Sequence, residues 1–232
     1  LPTRPEPPFN YKLVFSPDDL IEEYVRPARM KRDGRIVTVP ALSGCRIMKF
    51  DIPGIPLPEM EGFFTDGCRT LLDTIPSPNV TEYTLRYPGT ARDMTLLREI
   101  GLFGTEPVDV KGTKVAPRDL FGALAYPRMK LGEEENEFTF FHVEVTGEKD
   151  GKRLQYTYTL YDEKDMGTGF PSMSRTTGFP CVIVGRLLAE GVLNMPGVNP
   201  PEAVGKNPEA VRRLLEELQK RGVKIASSVK EL

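Results

Sequence analysis

Two long runs of alternating side-chain character, residues 138–147 and 153–161, flank the dipeptide Asp150-Gly151. Alternation with a period of two is typical of β-strands, and Asp-Gly is a favoured tight turn between antiparallel strands. The sequence therefore predicts a long antiparallel hairpin in this region. A second dipeptide of the same kind, Asp33-Gly34, predicts a shorter hairpin nearer the amino terminus.

Helical patterns lie between these groups of strands. Ser16 followed by Pro17 predicts the start of one helix, and Thr90 followed by Asp93 predicts a capping box at the start of another. Asp66 is a candidate cap for a short helix that reaches Leu72. The other predicted helices cover residues 117–124, 178–190 and 208–221, and the other predicted strands cover residues 28–31, 36–39, 46–51, 59–64, 82–87 and 223–226.

These elements come in hairpin-like groups of strands with helices between them, and they do not alternate strictly. Such an order favours an α+β fold with a mixed, largely antiparallel sheet flanked by helices over a doubly wound parallel sheet. Because its apolar residues are nearly continuous, the helix over residues 178–190 is predicted to be buried on more than one side.

Composition excludes several classes of protein. The chain of 232 residues carries 31 Lys and Arg against 33 Asp and Glu, a net charge of −2, so a nucleic-acid-binding module is disfavoured. It lacks the run of roughly 20 apolar residues that a membrane span requires. The three cysteines, Cys45, Cys68 and Cys181, are far apart and odd in number, which favours reduced thiols and a cytoplasmic protein.

Two common kinds of catalytic site are excluded or disfavoured by residue type. The chain has one histidine, His142, inside a predicted strand, so a multi-histidine metal site or a His-dependent triad lacks its residues, and no metal is expected. Residues 167–172 resemble a dinucleotide-binding glycine loop, but Ser172 replaces the third glycine and acidic residues precede the loop. We therefore expect no nucleotide there.

Two arginines stand at places suited to ligand binding. Arg86 ends a predicted strand before a Pro-Gly turn and a helix, with Tyr87 and Thr90 beside it, a geometry that suits a carboxylate. The alternative is an arginine paired with a neighbouring acid. Arg175 and Thr176 precede the predicted helix over residues 178–190, where capping of the helix by Thr176 or Thr177 is the alternative.

At these segments the sequence resembles the saccharopine dehydrogenase-like oxidoreductases, and most closely their lysine 6-dehydrogenase branch. The resemblance spans nearly the whole chain and rests on short motifs whose order and spacing agree. It is carried by residues 11–17, 63–67, 84–89, 174–178 and 197–202. One departure is plain, because the position after Pro88-Gly89 is usually histidine in that family and is Thr90 here.

The resemblance implies a division of the chain and a missing neighbour. Residues 1–175 would form the substrate-binding and dimerisation domain, and residues 176–232 would be helices that return toward a nucleotide-binding domain. That amino-terminal domain of the same protein would bind NAD or NADP. Since this chain lacks its glycine fingerprint, the chain alone is expected to be inactive, and a homodimer is expected.

The resemblance also implies a function and site residues. The intact enzyme would be an NAD(P)-dependent oxidoreductase acting on the amine or imine of lysine or a lysine-derived amino acid. No catalytic residue is assigned. Arg86 would hold the substrate carboxylate with Tyr87 and Thr90 nearby, and Asp66 would hold an ammonium. The residues expected to line the face toward the nicotinamide are Arg175 and Thr176.

A second hypothesis remains open. The chain could be a non-catalytic, dimeric amino-acid-binding or interaction domain without a nucleotide site. The missing glycine fingerprint and Thr90 favour this interpretation, whereas a start at Leu1 instead of methionine favours an excised part of a longer enzyme.

Overall fold

The structure is a computed structural model that describes all 232 residues. All pairings between its named strands are antiparallel and helices separate the groups of strands, so the predicted α+β class is confirmed. The chain divides into two compact units, Leu1–Gly132 and Glu133–Leu232. The boundary expected from the sequence, between residues 175 and 176, lies inside a helix of the second unit.

The first unit combines four helices with two hairpins and a three-stranded sheet. The hairpins are β1-β2 and β6-β7, and the sheet has the strand order β3-β4-β5. Its elements are α1 (Pro17–Val25), β1 (Ala28–Arg32), β2 (Arg35–Val39), β3 (Arg46–Met48), β4 (Met60–Phe63), α2 (Leu71–Thr74), β5 (Thr84–Arg86), α3 (Thr90–Glu99), β6 (Val108–Val110), β7 (Thr113–Val115) and α4 (Pro117–Met129).

Helix α1 begins where the sequence predicts. The Ser16 side chain accepts a hydrogen bond of 3.4 Å from the Asp19 amide, and Pro17 takes the first helical turn, where its missing N–H is not needed. The buried side of α1 packs against α3, α4 and strand β4. The residues at the centre of this core are Leu20, Ile21, Tyr24, Phe63, Met94, Phe103 and Phe121.

The second unit is one three-stranded sheet with helices packed on it. The strands are β8 (Phe138–Lys149), β9 (Lys152–Glu163) and β10 (Ile225–Glu231), in the order β10-β9-β8. The β8-β9 pair is the long hairpin predicted around Asp150-Gly151, and its register runs without interruption. The helices are α5 (Ser172–Ala189), α6 (Pro201–Val204) and α7 (Pro208–Lys220), and the core residues shared by the sheet and helices include Leu160, Ile183, Leu187, Ala210 and Leu218.

The prediction that the helix over residues 178–190 is buried on more than one side is wrong. Helix α5 starts earlier, at Ser172, and its outward side is exposed, with Val182 63% and Leu188 46% accessible. The hydroxyls of Thr176 and Thr177 donate to carbonyls one turn back, so neither residue caps the helix. Although the sequence of this helix is almost continuously apolar, only one side of the helix packs against its own unit.

Two predicted helix caps are also wrong. Thr70, not Asp66, precedes α2, because the Asp66 carboxylate is drawn to arginine side chains instead. The residue before α3 is Gly89, in the left-handed conformation, and Thr90 is the first helical residue, with its hydroxyl donating to the Tyr87 carbonyl. None of the helices combines the length and apolarity needed to cross a bilayer.

Gly44 offers a test of packing in the first unit. Its backbone is left-handed (φ +68°), and an added Cβ would lie 2.1 Å from the Phe64 ring. We expect Gly44→Ala to lower the free energy of unfolding by about 2–4 kcal/mol, since backbone strain and overpacking add. Gly54→Ala has the same backbone sign but no atom within 4 Å, so a loss of about 1 kcal/mol is expected. Urea denaturation followed by circular dichroism measures both, and equal losses would contradict this packing.

Candidate functional site

Two of the segments singled out in the sequence become neighbouring strands. In the β4-β5 pair Glu61 lies opposite Arg86 and Phe63 lies opposite Thr84. Beyond the strand ends the pairing continues through side chains, because the Thr65 hydroxyl donates to a Glu82 oxygen at 2.6 Å. Thr84 and Arg86 are two residues apart on β5 and therefore share one face of the sheet. Glu82, just before the strand, reaches the same side through its contacts with the Thr65 and Thr84 hydroxyls.

Arg86 lies between this sheet and helix α1. Its Nη2 donates to Glu23 Oε2 at 2.5 Å, its Nη1 donates to the Leu85 carbonyl at 2.9 Å, and its guanidinium sits 4.8 Å from the centre of the Tyr11 ring. The side chain is only 11% exposed. The guanidinium is thus held by an acid, a carbonyl and an aromatic ring rather than standing in open solvent.

The electrostatics of this place follow from burial. Burial raises the pKa of Glu23, against the lowering effect of the Arg86 charge, and it raises the pKa of Tyr24 to about 12. The Nε of Arg86 is buried and has no acceptor. A buried N–H without a partner is costly, so the site is one hydrogen-bond acceptor short.

Glu82 sits at the other end of the same row. Its Oε2 accepts from the Thr65 hydroxyl at 2.6 Å, its Oε1 lies 3.3 Å from the Thr84 hydroxyl oxygen, and no cation is among its partners. Burial raises the pKa of Glu82, and the nearby Glu23 charge adds to the effect. An added Cβ on Gly67 would lie 2.7 Å from the Glu82 carboxyl, so only glycine allows this close approach. We call the group made of Tyr11, Glu23, Thr65, Glu82, Thr84 and Arg86 the Arg86 cluster.

Tyr87 and Thr90 lie close in sequence to Arg86 but bond elsewhere. The Tyr87 hydroxyl donates to the Pro2 carbonyl at 2.7 Å, and the Thr90 hydroxyl donates to the Tyr87 carbonyl at 2.8 Å. Both residues are buried. Next to them Glu61 accepts from the Ala91 amide at 2.8 Å, so an acid already caps the start of α3.

Asp66 is surrounded by arginines. Arg29 donates to its two carboxylate oxygens at 2.9 and 3.1 Å, and Arg69 adds a contact of 3.4 Å. Burial alone would raise the pKa of Asp66, but the hydrogen bonds and charge of Arg29 outweigh burial and hold the pKa below its ordinary value. Both oxygens of Asp66 are therefore engaged within the protein.

Arg175 and Thr176 belong to the second unit, at the start of α5. Arg175 donates to both oxygens of Asp162, at 3.1 and 3.2 Å, and further to Asp165 at 3.2 Å and to the Arg221 carbonyl at 3.0 Å. The Thr176 hydroxyl donates back to a carbonyl of its own helix. Arg175 thus joins the start of α5 to strand β9 and to the end of α7.

The glycine-rich loop does not fit a dinucleotide phosphate. The amides of Gly167 and Thr168 donate to Asp165 Oδ1 at 3.0 and 3.3 Å. The Thr168 side chain also donates a hydrogen bond to Asp165. This bond first, and then the two amide bonds, lower the pKa of Asp165. A carboxylate therefore occupies the turn that a phosphate would need. No group of three or more His, Cys, Asp or Glu side chains is placed to hold a metal ion.

A surface groove of about 590 Å³ also lies in the first unit, between α4 and the residues before α1. Its walls mix charges of both signs, including Asp18, Asp119 and Lys130. Arg118, on the same wall, is already paired with Glu22 at 3.0 Å. The groove shares no lining residue with the Arg86 cluster.

A family model described as the saccharopine dehydrogenase C-terminal domain matches residues 1–223. The chain belongs to this family. The matched range includes the whole first unit, with every residue of the Arg86 cluster, and the second unit up to residue 223, before strand β10.

The matches with individual relatives cover only part of the length of each relative. The chain is 29% identical over 137 residues to saccharopine dehydrogenase [NADP(+), L-glutamate-forming] of Schizosaccharomyces pombe, a match covering 57% of this chain and 28% of that protein. It is 22% identical over 200 residues to carboxyaminopropylagmatine dehydrogenase of a Synechocystis species, covering 84% of this chain and 49% of that one. The chain thus spans half or less of the length of these relatives.

A solved structure has the same fold. The apo, histidine-tagged saccharopine dehydrogenase (L-Glu forming) of Saccharomyces cerevisiae superposes with a TM-score of 0.74 at 19% identity, covering 99% of this chain and 65% of that chain. At this identity the similarity is evidence for a shared fold alone.

Sequence reasoning missed the partners of Arg86. Glu82, Thr84 and Arg86 alternate within the predicted strand over residues 82–87, and this period of two is a signal that they share a face, although β5 itself begins at Thr84. Nothing local marks Glu23, which lies 63 residues from Arg86 in the chain. Its role follows only from the packing of α1 on the sheet.

The ion pair of Glu23 with Arg86 can be tested through stability. We expect Glu23→Gln to lower the free energy of unfolding by about 3 kcal/mol at neutral pH, because it leaves the Arg86 charge buried without a counter-charge. The matched control is Glu59→Gln, whose acid pairs with Lys49 on the exposed surface and should contribute less than about 0.5 kcal/mol. Urea denaturation of both variants gives the two values, and a loss at Glu23 as small as at Glu59 would contradict the buried pair.

Proposed function

We propose that this chain is the substrate-binding part of an NAD(P)-dependent oxidoreductase that acts on the amine or imine of lysine or a lysine-derived amino acid, in the manner of a lysine 6-dehydrogenase or saccharopine dehydrogenase. Membership of the saccharopine dehydrogenase C-terminal domain family supports the proposal. So do the printed names of the relatives, each of which is a dehydrogenase.

The observation that carries the proposal is the unfilled Nε of Arg86. Nε and Nη2 form the edge of a guanidinium that binds a carboxylate through two parallel hydrogen bonds. Glu23 takes Nη2 only, while Leu85 and Tyr11 fix the plane of the group. A substrate carboxylate that accepts from Nε and shares Nη2 with Glu23 would supply the missing acceptor and orient the rest of the substrate.

In the proposed reaction the carbon that bears the amine loses a hydride to the nicotinamide and the nitrogen loses a proton, which leaves an imine; the reverse direction reduces the imine. The chain's own residues would bind and orient the substrate. Because Asp165 fills the glycine-rich turn, NAD or NADP is proposed to bind mainly to an amino-terminal nucleotide-binding domain of the same protein. The chain alone would then be inactive.

The start of helix α5 is proposed to line the face toward the nicotinamide, with Thr176 near it and Arg175 fixing the helix through Asp162. The exposed side of the same helix supports docking of the nucleotide-binding domain, since it is uncharged along most of its length. Arg186, near the end of the helix, is its one exposed charged residue, and the other exposed residues are Ser174, Thr177, Gly178, Cys181, Val182, Gly185, Leu188 and Ala189. We thus propose substrate binding and dimerisation for residues 1–175 and contact with the nucleotide domain for residues 176–232.

We also propose a homodimer formed through the sheet of the second unit. One face of this sheet is polar, whereas the other carries exposed apolar side chains with no charge at its centre. The exposed apolar residues on that face include Phe141, Val145, Tyr158 and Val229. Patches of this kind mark interaction surfaces, and an uncharged face can meet its own copy across a two-fold axis without repulsion. All three cysteines are free thiols, which supports a cytoplasmic location.

Kinetics of the intact protein test the role of Arg86. We expect Arg86→Gln to lower kcat/KM by roughly 30- to 1000-fold, or about 2–4 kcal/mol, because the substrate carboxylate loses a charged, two-pronged partner. Assays with L-lysine, saccharopine and carboxyaminopropylagmatine, each with NAD and NADP, identify the substrate first. Arg92→Gln, an exposed arginine on α3, serves as the control.

Unchanged kinetics for Arg86→Gln would remove Arg86 from the site. Binding of an amino acid without turnover of any of the three compounds would favour the non-catalytic binding domain instead.

A pair of substitutions on one strand tests the homodimer. Val145→Lys places a charge on the apolar face and should yield monomers, since the charge would be buried against its own copy. Thr146→Lys places the same charge on the opposite face of β8 and should leave the dimer intact. Sedimentation equilibrium of the intact protein distinguishes the two states. A dimer that survives Val145→Lys would place its interface elsewhere.

A further inference from the structure

The acid that the sequence offers for a substrate ammonium, Asp66, is not the one that the structure leaves available. Its two oxygens receive hydrogen bonds from Arg29, and Arg69 adds a third contact. An ammonium would have to displace an arginine there. Glu82 has no arginine or lysine partner, and it is only half-buried.

Counting the hydroxyl protons at Glu82 leaves one carboxylate oxygen without a hydroxyl donor, and the further hydrogen bond to this carboxylate comes from the Gly67 backbone amide. The Thr65 hydroxyl gives its one proton to Glu82 Oε2 at 2.6 Å. The Thr84 hydroxyl also has one proton, and its contact with Thr65 is 2.8 Å, shorter than its 3.3 Å contact with Glu82 Oε1. The two shorter bonds use both hydroxyl protons, because each hydroxyl donates once. Oε1 of Glu82 is then without a hydroxyl donor.

The charges of the Arg86 cluster also point to a cation. The cluster holds two acids, Glu23 and Glu82, against one cation, Arg86, and of the two acids Glu23 is the one paired with it. The neighbouring thiol of Cys68 adds no charge at neutral pH, because burial raises its pKa to about 11. A partly buried cluster with one surplus negative charge is stabilised by an incoming positive group.

The spacing suits a ligand with charges at both ends. Residues 82 and 86 lie four positions apart on one face, so their Cα atoms are about 13 Å apart. The unfilled Nε of Arg86 lies toward one end of this row and Oε1 of Glu82 toward the other. A carboxylate and an ammonium joined by a chain of several methylenes match this order of donor and acceptor.

We propose that Glu82, supported by Thr65 and Thr84, binds the ammonium of the substrate whose carboxylate is held by Arg86. The assignment rests on the proposed function, and it gives the cluster a preference for diamino acids over amino acids with an uncharged chain. Glu82 acts here as a specificity-determining residue.

Calorimetric titration of the intact protein with three probes separates the two roles. L-Lysine carries both end groups, L-norleucine lacks the terminal ammonium, and 1,5-diaminopentane lacks the carboxylate. We expect Glu82→Gln to reduce the preference for L-lysine over L-norleucine by 10-fold or more, the usual effect of one charged hydrogen bond. Arg86→Gln should weaken binding of L-lysine and L-norleucine alike and should not weaken binding of 1,5-diaminopentane.

Three further variants guard against loss of folding. Glu82→Asp keeps the charge and should retain the preference for L-lysine, whereas Glu59→Gln, an exposed acid, should leave every affinity unchanged. An unaltered preference in Glu82→Gln, or its loss in Asp66→Asn alone, would overturn the role of Glu82. Failure of Arg86→Gln to weaken L-norleucine would overturn the role of Arg86 instead, and failure of unmodified protein to bind L-lysine would overturn both.

Discussion

The ion pair between Glu23 and Arg86 is the interaction on which the first unit's site depends. It joins helix α1 to strand β5 at 2.5 Å, across a core made of aromatic and aliphatic side chains. Two charges placed in such surroundings are tolerated because each compensates the other, and either one alone would be strongly unfavourable. The pair therefore fixes where the guanidinium stands, and the Tyr11 ring on one side fixes how it is oriented. In its proposed role, a guanidinium held in this way would lose little freedom when a ligand arrives.

The two arginines singled out in the sequence differ in whether every guanidinium nitrogen has an acceptor. This difference distinguishes a structural arginine from one suited to bind a ligand. Arg175 donates to Asp162, Asp165 and the Arg221 carbonyl, so each of its three guanidinium nitrogens finds an acceptor within the protein. Arg86 is as deeply buried, yet its Nε has none. The first arrangement is that of a clamp between secondary-structure elements. The second leaves a specific, directional demand for an acceptor, which a carboxylate meets.

Local features of this fold could be predicted from the sequence, and long-range ones could not. The hairpins at Asp33-Gly34 and Asp150-Gly151 and the start of α1 at Ser16 depend on residues a few positions apart, so the pattern was sufficient. The sequence predicts Asp66 as a helix cap. This prediction is wrong because Arg29, 37 residues away, binds the carboxylate, and no local signal shows it. Glu23 and Arg86 are separated still further. The site is made by such pairs, which is why the sequence indicated its arginine but not its acids.

The same alternation that predicted the long hairpin also carries information about partners. A strand with apolar residues on every second position is stable only when that side is shielded from water. On the β8-β9 hairpin the packed helices cover Leu160 but not Val145, which is 53% exposed although it lies on the same face. Helix α5 likewise has one buried apolar side and one exposed apolar side, with Ile183 buried and Val182 exposed. Exposed apolar surface of this kind is typical of interaction sites, and both surfaces of the second unit carry it, which supports the proposed homodimer and the proposed contact with a nucleotide-binding domain.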